Sequence, residues 1–294
     1  MDRPSSSLES RRAERLRGAS RRAEKSSMKT RIWTGVIGLP LLIIILYTGG
    51  FILVIGVSFL AFVGTMEYTR AVNKMIHPRI NVFLMIILSI MLMVTIKLDY
   101  YFLMPVLLVA FIIIFCYEIL SGNVEISRGS ATLMGLIYVP IMFGHLFLFE
   151  TVNKGAYYMW LIFVIAFTTD TAAYFIGKSI GNRKIAPLIS PKKTIAGSVG
   201  GVIVAALSTI LYGTILSSYF SFVLPWYLYL IVGVFGSIAG QCGDLTASMI
   251  KRKAKIKDFG TILPGHGGIL DRFDSILFII PLIYIFAKLT IGIA

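Results

Sequence analysis

Charge is scarce in this 294-residue chain: 14% of its residues are Asp, Glu, Lys or Arg, against 57% hydrophobic. A soluble domain carries about a quarter charged residues, so a water-facing globule is excluded. Cysteine is scarcer still. Cys116 and Cys242 both sit in apolar runs without a CxxC pair, which excludes a disulfide framework or a zinc ribbon and leaves two small apolar side chains expected in the interior. The short alternating segments of a membrane β-barrel are missing, and so is any internal repeat. Acids are half as numerous as bases, giving a formal net charge of +14. In a soluble protein that balance would suggest nucleic acid. Here the bases lie in connections between apolar runs, where they set membrane orientation and attract anionic headgroups, so no nucleic-acid partner is expected.

What is present is a succession of long apolar stretches. From Ile32 onward about nine of them approach the ~20 residues that a helix needs to cross a bilayer. They lie near 32–48, 51–67, 80–96, 101–120, 131–150, 157–177, 195–216, 225–247 and 273–292. The expected fold is therefore all-α, a polytopic integral membrane protein. Gly49-Gly50 separates the first two stretches, which read as two crossings, with a re-entrant pair as the alternative. Residues 1–27 are rich in Ser, Arg, Ala and Glu with no apolar face, so a disordered tail or loose surface helix is expected there. The membrane domain is then 28–294. Its part 28–156 reads as packing and lipid contact, and 157–294 carries nearly all the polar chemistry.

Basic residues in the connections fix an orientation. Arg70, Lys74 and Arg79 follow the second stretch, Arg128 the fourth, Lys178, Arg183, Lys184, Lys192 and Lys193 the sixth, and Lys251, Arg252, Lys253, Lys255, Lys257 and Arg272 the eighth. The opposite connections hold only Lys97 and Lys154. This asymmetry predicts a cytoplasmic N-terminus and an external C-terminus, which requires an odd number of spans.

An ionisable side chain inside a span costs roughly 2.5–3.5 kcal/mol on insertion scales, so each one calls for a reason. Asp170 lies in FTTDTAAYFIGK, eight residues before Lys178, and Asp244 in GQCGDLTASMIKRK, seven before Lys251. At 1.5 Å per residue both sit about 10–12 Å below the same interface. Asp271 and Asp274 open the last stretch, and their i, i+3 spacing puts them on one helix face. Three spans thus bring carboxylates to similar depth. Like charges repel there unless a cation joins them, and Mg²⁺ suits such a site because one or two carboxylates suffice, with water and substrate phosphates completing its shell. The plainer readings remain open: Asp271 and Asp274 can simply favour a helix N-terminus, and Asp170 can pair with a lysine. Beside the acids stand bases and glycines. Ser190-Pro191-Lys192-Lys193-Thr194 enters the seventh stretch, where two lysines and hydroxyls near a helix start can hold phosphate oxygens or simply supply inside-positive charge. Leu263-Pro264-Gly265-His266-Gly267-Gly268 can bring backbone N–H groups to an anion or simply turn the chain. His266 can move a proton, contact phosphate or hydrogen-bond its own loop. Acidic ligands and cationic clamps together suit phosphoryl or nucleotidyl transfer at a membrane surface.

The stretch from Ser248 to Ser275, SMIKRKAKIKDFGTILPGHGGILDRFDS, resembles the signature of phosphatidate cytidylyltransferases. The likeness runs through Ser248, Lys251-Arg252, Lys257-Asp258, Pro264, His266-Gly267-Gly268, Asp271-Arg272 and Asp274. DTAAYFIGK and SPKKT resemble two further segments of that family. The resemblance covers about 160–290 and implies attack of the phosphate of phosphatidic acid on the α-phosphorus of CTP, without a covalent enzyme intermediate. It implies Asp244 and Asp271 as ligands of Mg²⁺ with K⁺ beside it. Asp170, Asp274 and His266 match other motif positions and join them as catalytic candidates. Ser190, Lys192, Lys193, Thr194, Lys251, Arg252, Lys257, Gly267, Gly268 and Arg272 are the implied substrate contacts. A homodimer in the cytoplasmic membrane of a prokaryote is implied as well. Two positions depart from the family pattern: Ala196 and Ala247 stand where Glu is usual, which would weaken or reshape a nearby cation site. Cytidylyl transfer to another lipid phosphate, such as an ether lipid, is the sibling reading. An ion-coupled transporter is the non-transferase alternative, although the repeats it requires are not visible.

Overall fold

The computed structural model describes residues 36, 38, 40–122 and 125–290; the 1–27 tail and part of the first apolar stretch lie outside these. Residues 40–48 are helical. Gly49 and Gly50 follow with φ of 60° and 53°, a left-handed conformation that glycine enters without a Cβ penalty. The chain doubles back there, bringing Ile45 against Gly56 of the next helix.

That helix is α1, Gly50–Val72, followed by α2, Val82–Leu98, and α3, Leu103–Leu120, the last preceded by a 3₁₀ turn at Tyr100–Phe102. Next come α4, Ile126–Leu136, and α5, Met142–Leu148, joined by a π-helical segment, Ile137–Ile141, that contains Pro140. Proline has no N–H for the helical ladder, and the wider local turn accommodates the gap. The second half holds α6, Gly155–Ile180, α7, Ile195–Phe220, α8, Trp226–Lys253, and α9, Leu270–Thr290. Among the described residues, seven helical spans are long and apolar enough to cross a membrane, and Val82–Leu98, at 17 residues, is a shorter apolar helix near the lower limit for a crossing. The protein is an all-α polytopic integral membrane protein.

The helices overrun the apolar stretches. α8 continues to Lys253 and α1 to Val72, because a helix continues into the headgroup region until a cap or turn stops it. The fifth span starts at Ile126 rather than 131. SPKKT is not simply a helix entry. It forms β2, Ser190–Thr194, antiparallel to β1, Lys184–Ala186, and the hairpin is tied to α7 by the Ile195 N–H donating to the Arg183 carbonyl at 2.9 Å. Two further expectations change. Cys116 and Cys242 are exposed on the bundle surface rather than buried, since hydropathy does not separate lipid-facing from protein-facing positions. Arg128 is buried on α4 and forks onto Glu118 of α3 with three N···O distances of 2.7–2.9 Å. It is a neutralised internal ion rather than a loop charge.

In the second half α6 meets α7, α7 meets α8, α8 meets α9, and α9 closes back on α6. Small residues set these approaches, as expected where no hydrophobic force drives helices together in lipid. A Cβ on Gly197 would lie 2.5 Å from the Ala173 carbonyl oxygen of α6. A Cβ on Gly243 would lie 2.4 Å from the Asp274 carbonyl oxygen of α9. This second contact places Asp244 and Asp274 on helices that touch.

Candidate active site

A cavity of about 640 Å³ opens at the end of the bundle that carries the basic connections, between α6, the hairpin, α7, α8 and α9. Asp170, Asp244, Asp271 and Asp274 line it together with Lys178, Lys184, Lys192, Lys193, Ser198, Gln241 and Ser275. The carboxylates expected from three separate spans therefore share one hollow. Lys193 reaches down from β2 to form an ion pair with Asp244. Both remain about a quarter exposed, at 26% and 23%, so the pair is open to water and exchangeable. The Asp170 side chain has no hydrogen bond or ion pair with any described residue. Ser198 donates to the Gln241 side-chain oxygen, which fixes one polar wall between α7 and α8.

Asp271 is held differently. Its Oδ1 accepts from Lys251 Nζ at 2.8 Å, and its Oδ2 accepts the N–H groups of Phe259 at 2.7 Å and Gly268 at 2.9 Å. Its side chain is 3% exposed. This carboxylate staples the loop between α8 and α9 to the start of α9. Gly267, at φ 88°, turns beneath it where a Cβ would lie 2.9 Å from Oδ2. Asp274, one turn further along α9, has its Oδ1 bonded only locally, by the Ser275 N–H at 2.8 Å.

The remaining candidates divide into four groups. Lys257, His266, Gly267 and Arg272 line a second hollow of about 650 Å³, walled by the 257–267 loop. In it Arg272 Nε donates to the His266 carbonyl at 2.8 Å, and His266 Nδ1 is buried with no hydrogen-bond partner among the described residues. Lys251 and Gly268 line neither hollow; both donate to Asp271, which lines the first. Ser190 and Arg252 line neither hollow: Ser190 pairs with Ala186 in the hairpin, and Arg252 Nε donates to the Ile189 carbonyl at 3.2 Å. Thr194 lines the first cavity, but its hydroxyl caps α7 by accepting the Gly197 N–H at 3.1 Å. Ala196 and Ala247 are absent from the walls of both hollows, and Ala247 is fully buried in the core.

Among the described residues no three acidic, His or Cys side chains converge into a closed cation cage. The donor set is nonetheless all hard oxygen, which fits Mg²⁺ bound by one or two carboxylates with substrate phosphates completing its shell.

One functional candidate escapes the sequence reading: Glu67, 1% exposed, whose carboxylate accepts the N–H groups of Ile269 and Leu270 at the start of α9. It is the one acid in the 51–67 stretch. The rule that singles out Asp170 and Asp244 applies to it equally.

An apolar helical bundle with acids and lysines meeting in one open cavity at the headgroup level defines a membrane-embedded transferase that handles phosphates. Comparison with known proteins narrows the class. Residues 29–290 match the family model described as "Cytidylyltransferase family". A phosphatidate cytidylyltransferase of Staphylococcus saprophyticus is 35% identical over 269 residues, covering 88% of this chain and 98% of its own. One of Staphylococcus epidermidis is 35% identical with the same coverage, and one of Bacillus subtilis is 37% identical over 183 residues, 62% of this chain and 66% of its own. The chain belongs to the cytidylyltransferase family.

Proposed function

We propose that this protein transfers the cytidylyl group of CTP to phosphatidic acid, giving CDP-diacylglycerol and pyrophosphate. A phosphate oxygen of phosphatidic acid bonds to the α-phosphorus. The bond from that phosphorus to the oxygen bridging to the β-phosphorus breaks, and pyrophosphate leaves with that oxygen and its electron pair. The observation that carries this reading is the shared cavity, in which the Asp170, Asp244 and Asp274 carboxylates face Lys192 and Lys193. Acids and bases in one open hollow serve a reaction whose substrates are polyanions and whose leaving group gains charge.

The chain's own groups take distinct parts in this reading. Asp244 and Asp274, on touching helices, would hold Mg²⁺, with Asp170 beside them and K⁺ as the second cation that the resemblance implies. The bound cation offsets charge on the phosphates. Asp271 serves as the staple of the loop, because its oxygens already accept three donors. Lys193 exchanges Asp244 for a phosphate oxygen when substrate enters, and Lys192 joins it. Lys257, Arg272 and His266, beside the turn at Gly267, receive the remaining phosphate oxygens. The cavity opens to the cytoplasm of a prokaryotic inner membrane, the N-terminus lies on that side, and two copies form a homodimer. The basic connections support this orientation; the dimer follows from the family resemblance.

The test uses the purified chain in detergent with CTP, phosphatidic acid and Mg²⁺. Pyrophosphate release that needs all three is the expected result. No release at saturating Mg²⁺ would overturn the reading, and release only with a diether-lipid phosphate would move it to the sibling substrate.

A further inference from the structure

Glu67 sits near the C-terminal end of α1, in the half of the chain that contributes no side chain to the carboxylate cavity. Its Oε1 accepts the Ile269 N–H at 3.1 Å and its Oε2 the Leu270 N–H at 2.9 Å. Leu270 is the first residue of α9, so these are donors that a helix start leaves without intrahelical partners. A carboxylate at that end also has the favourable sign for the helix dipole. Helix starts are usually capped by a neighbour in sequence. Here the cap comes from a residue 203 positions away.

The surrounding chain is moulded to this side chain. A Cβ on Gly260 would lie 2.2 Å from Glu67 Oε1, and one on Gly268 would lie 2.3 Å from the same atom. The loop from 259 to 270 is therefore gripped from two sides. Glu67 holds Ile269 and Leu270, while Asp271 holds Phe259 and Gly268. The helix whose start is fixed in this way carries both Asp271 and Asp274 into the cavity.

We propose that Glu67 is a positioning residue for the transfer reaction: through the start of α9 it sets where Asp271 and Asp274 stand relative to Asp170 and Asp244. The inference rests on the function proposed above. It assigns the N-terminal half a part in the chemistry that hydropathy alone does not suggest. A misplacement of about 1 Å in a reacting constellation costs on the order of a hundredfold in rate, so a cap that touches no substrate can still govern turnover.

The variants are Glu67→Gln, which keeps shape and one acceptor, and Glu67→Ala, which leaves both N–H groups without one. Glu118→Ala is the control, since it removes an equally buried carboxylate remote from the cavity. With each protein in detergent, two things are measured: steady-state kinetics per folded molecule and amide hydrogen exchange across 258–271. For Glu67→Gln the expected result is faster exchange in that loop, kcat lower by about tenfold, KM for CTP within about twofold, and a higher Mg²⁺ requirement. Glu67→Ala is expected to lose on the order of a hundredfold in kcat. Glu118→Ala is expected to keep wild-type exchange in the loop and wild-type kcat per folded molecule. Wild-type kcat per folded molecule in Glu67→Gln and in whatever Glu67→Ala folds would overturn the proposal, as would unchanged loop exchange. If the wild-type chain itself transfers nothing, the proposed function fails, and the exchange arm decides separately whether Glu67 holds the loop.

Discussion

Glu118 with Arg128, and Asp244 with Lys193, are both carboxylate–cation pairs set into the same apolar bundle, yet they are built for different ends. The first pair, in the N-terminal half, is closed. Its side chains are 4% and 6% exposed, the guanidinium forks onto both carboxylate oxygens, and Ser121 takes a further N–H. The second pair, in the C-terminal half, is about a quarter exposed, is made by a lysine on a short hairpin, and shares its cavity with Asp170, whose side chain has no partner among the described residues. A closed, fully bonded ion pair can only hold helices together. An open one with spare carboxylates can exchange partners, which a phosphate or a cation requires. Burial of charge in a membrane bundle is thus not by itself a mark of chemistry; the mark is a charge within the bundle that stays open to the cavity with bonding capacity left over.

The largest effect should come from breaking the closed pair. Glu118→Ala leaves the Arg128 guanidinium buried without its carboxylate, which costs about 3–5 kcal/mol of stability. A thermal unfolding series in detergent is expected to show this loss while the folded fraction keeps its transfer rate. A tenfold loss of turnover per folded molecule would mean that the two halves do not divide the work as described. Next comes Asp274→Asn, the matching change at the open site. It removes one charge and almost no volume, so the unfolding midpoint should hold or rise as repulsion from Asp244 is relieved. Turnover should fall by about 10²–10³, the range seen when one electrostatic stabiliser of a transition state is removed. A variant that turns over normally would remove Asp274 from the proposed cation site and return that place to Asp271.

Much of this contrast was legible in the sequence, and what was missed has physical reasons. Asp170 and Asp244 stand out because an acid in an apolar run is costly, and a rise of 1.5 Å per residue puts them at one depth; Asp271 and Asp274 stand out by their i, i+3 spacing at the start of the last span. Nothing in the spacing shows that Asp271 spends its oxygens on the Phe259 and Gly268 N–H groups, because those bonds depend on a loop path that periodicity does not encode. SPKKT reads as a basic helix entry; its pairing with Lys184–Ala186 is a tertiary outcome of a three-residue strand too short to register as a pattern. Arg128 counts as a loop charge in a positive-inside tally until its Glu118 partner, ten positions earlier, is seen to neutralise it. Glu67 was readable by the rule already in use, since it is an acid within a predicted span. Its partners, some two hundred residues away, were not.

The smallest effect is expected at the other end of the bundle, where Lys97 pairs with Glu150 at 38% and 22% exposure. Here neither chemistry nor enclosure is at stake. Water and salt screen such a pair, and the lysine gives up side-chain entropy to make it, so pairs of this kind contribute about 0.2–1 kcal/mol. Lys97→Ala should therefore move the unfolding midpoint only slightly, less so in high salt, and leave turnover within about twofold of wild type. Glu150→Ala should cost more than Lys97→Ala, because Glu150 also accepts the Gly50 N–H at the turn that enters α1. That ordering separates loss of an ion pair from loss of a side-chain acceptor for a backbone N–H at an exposed turn. If the two variants behaved alike, the Gly50 contact would carry no weight. If Lys97→Ala instead cut turnover tenfold, the two ends of the bundle would be coupled across the membrane, and the separation between a holding part and a reacting part would fail.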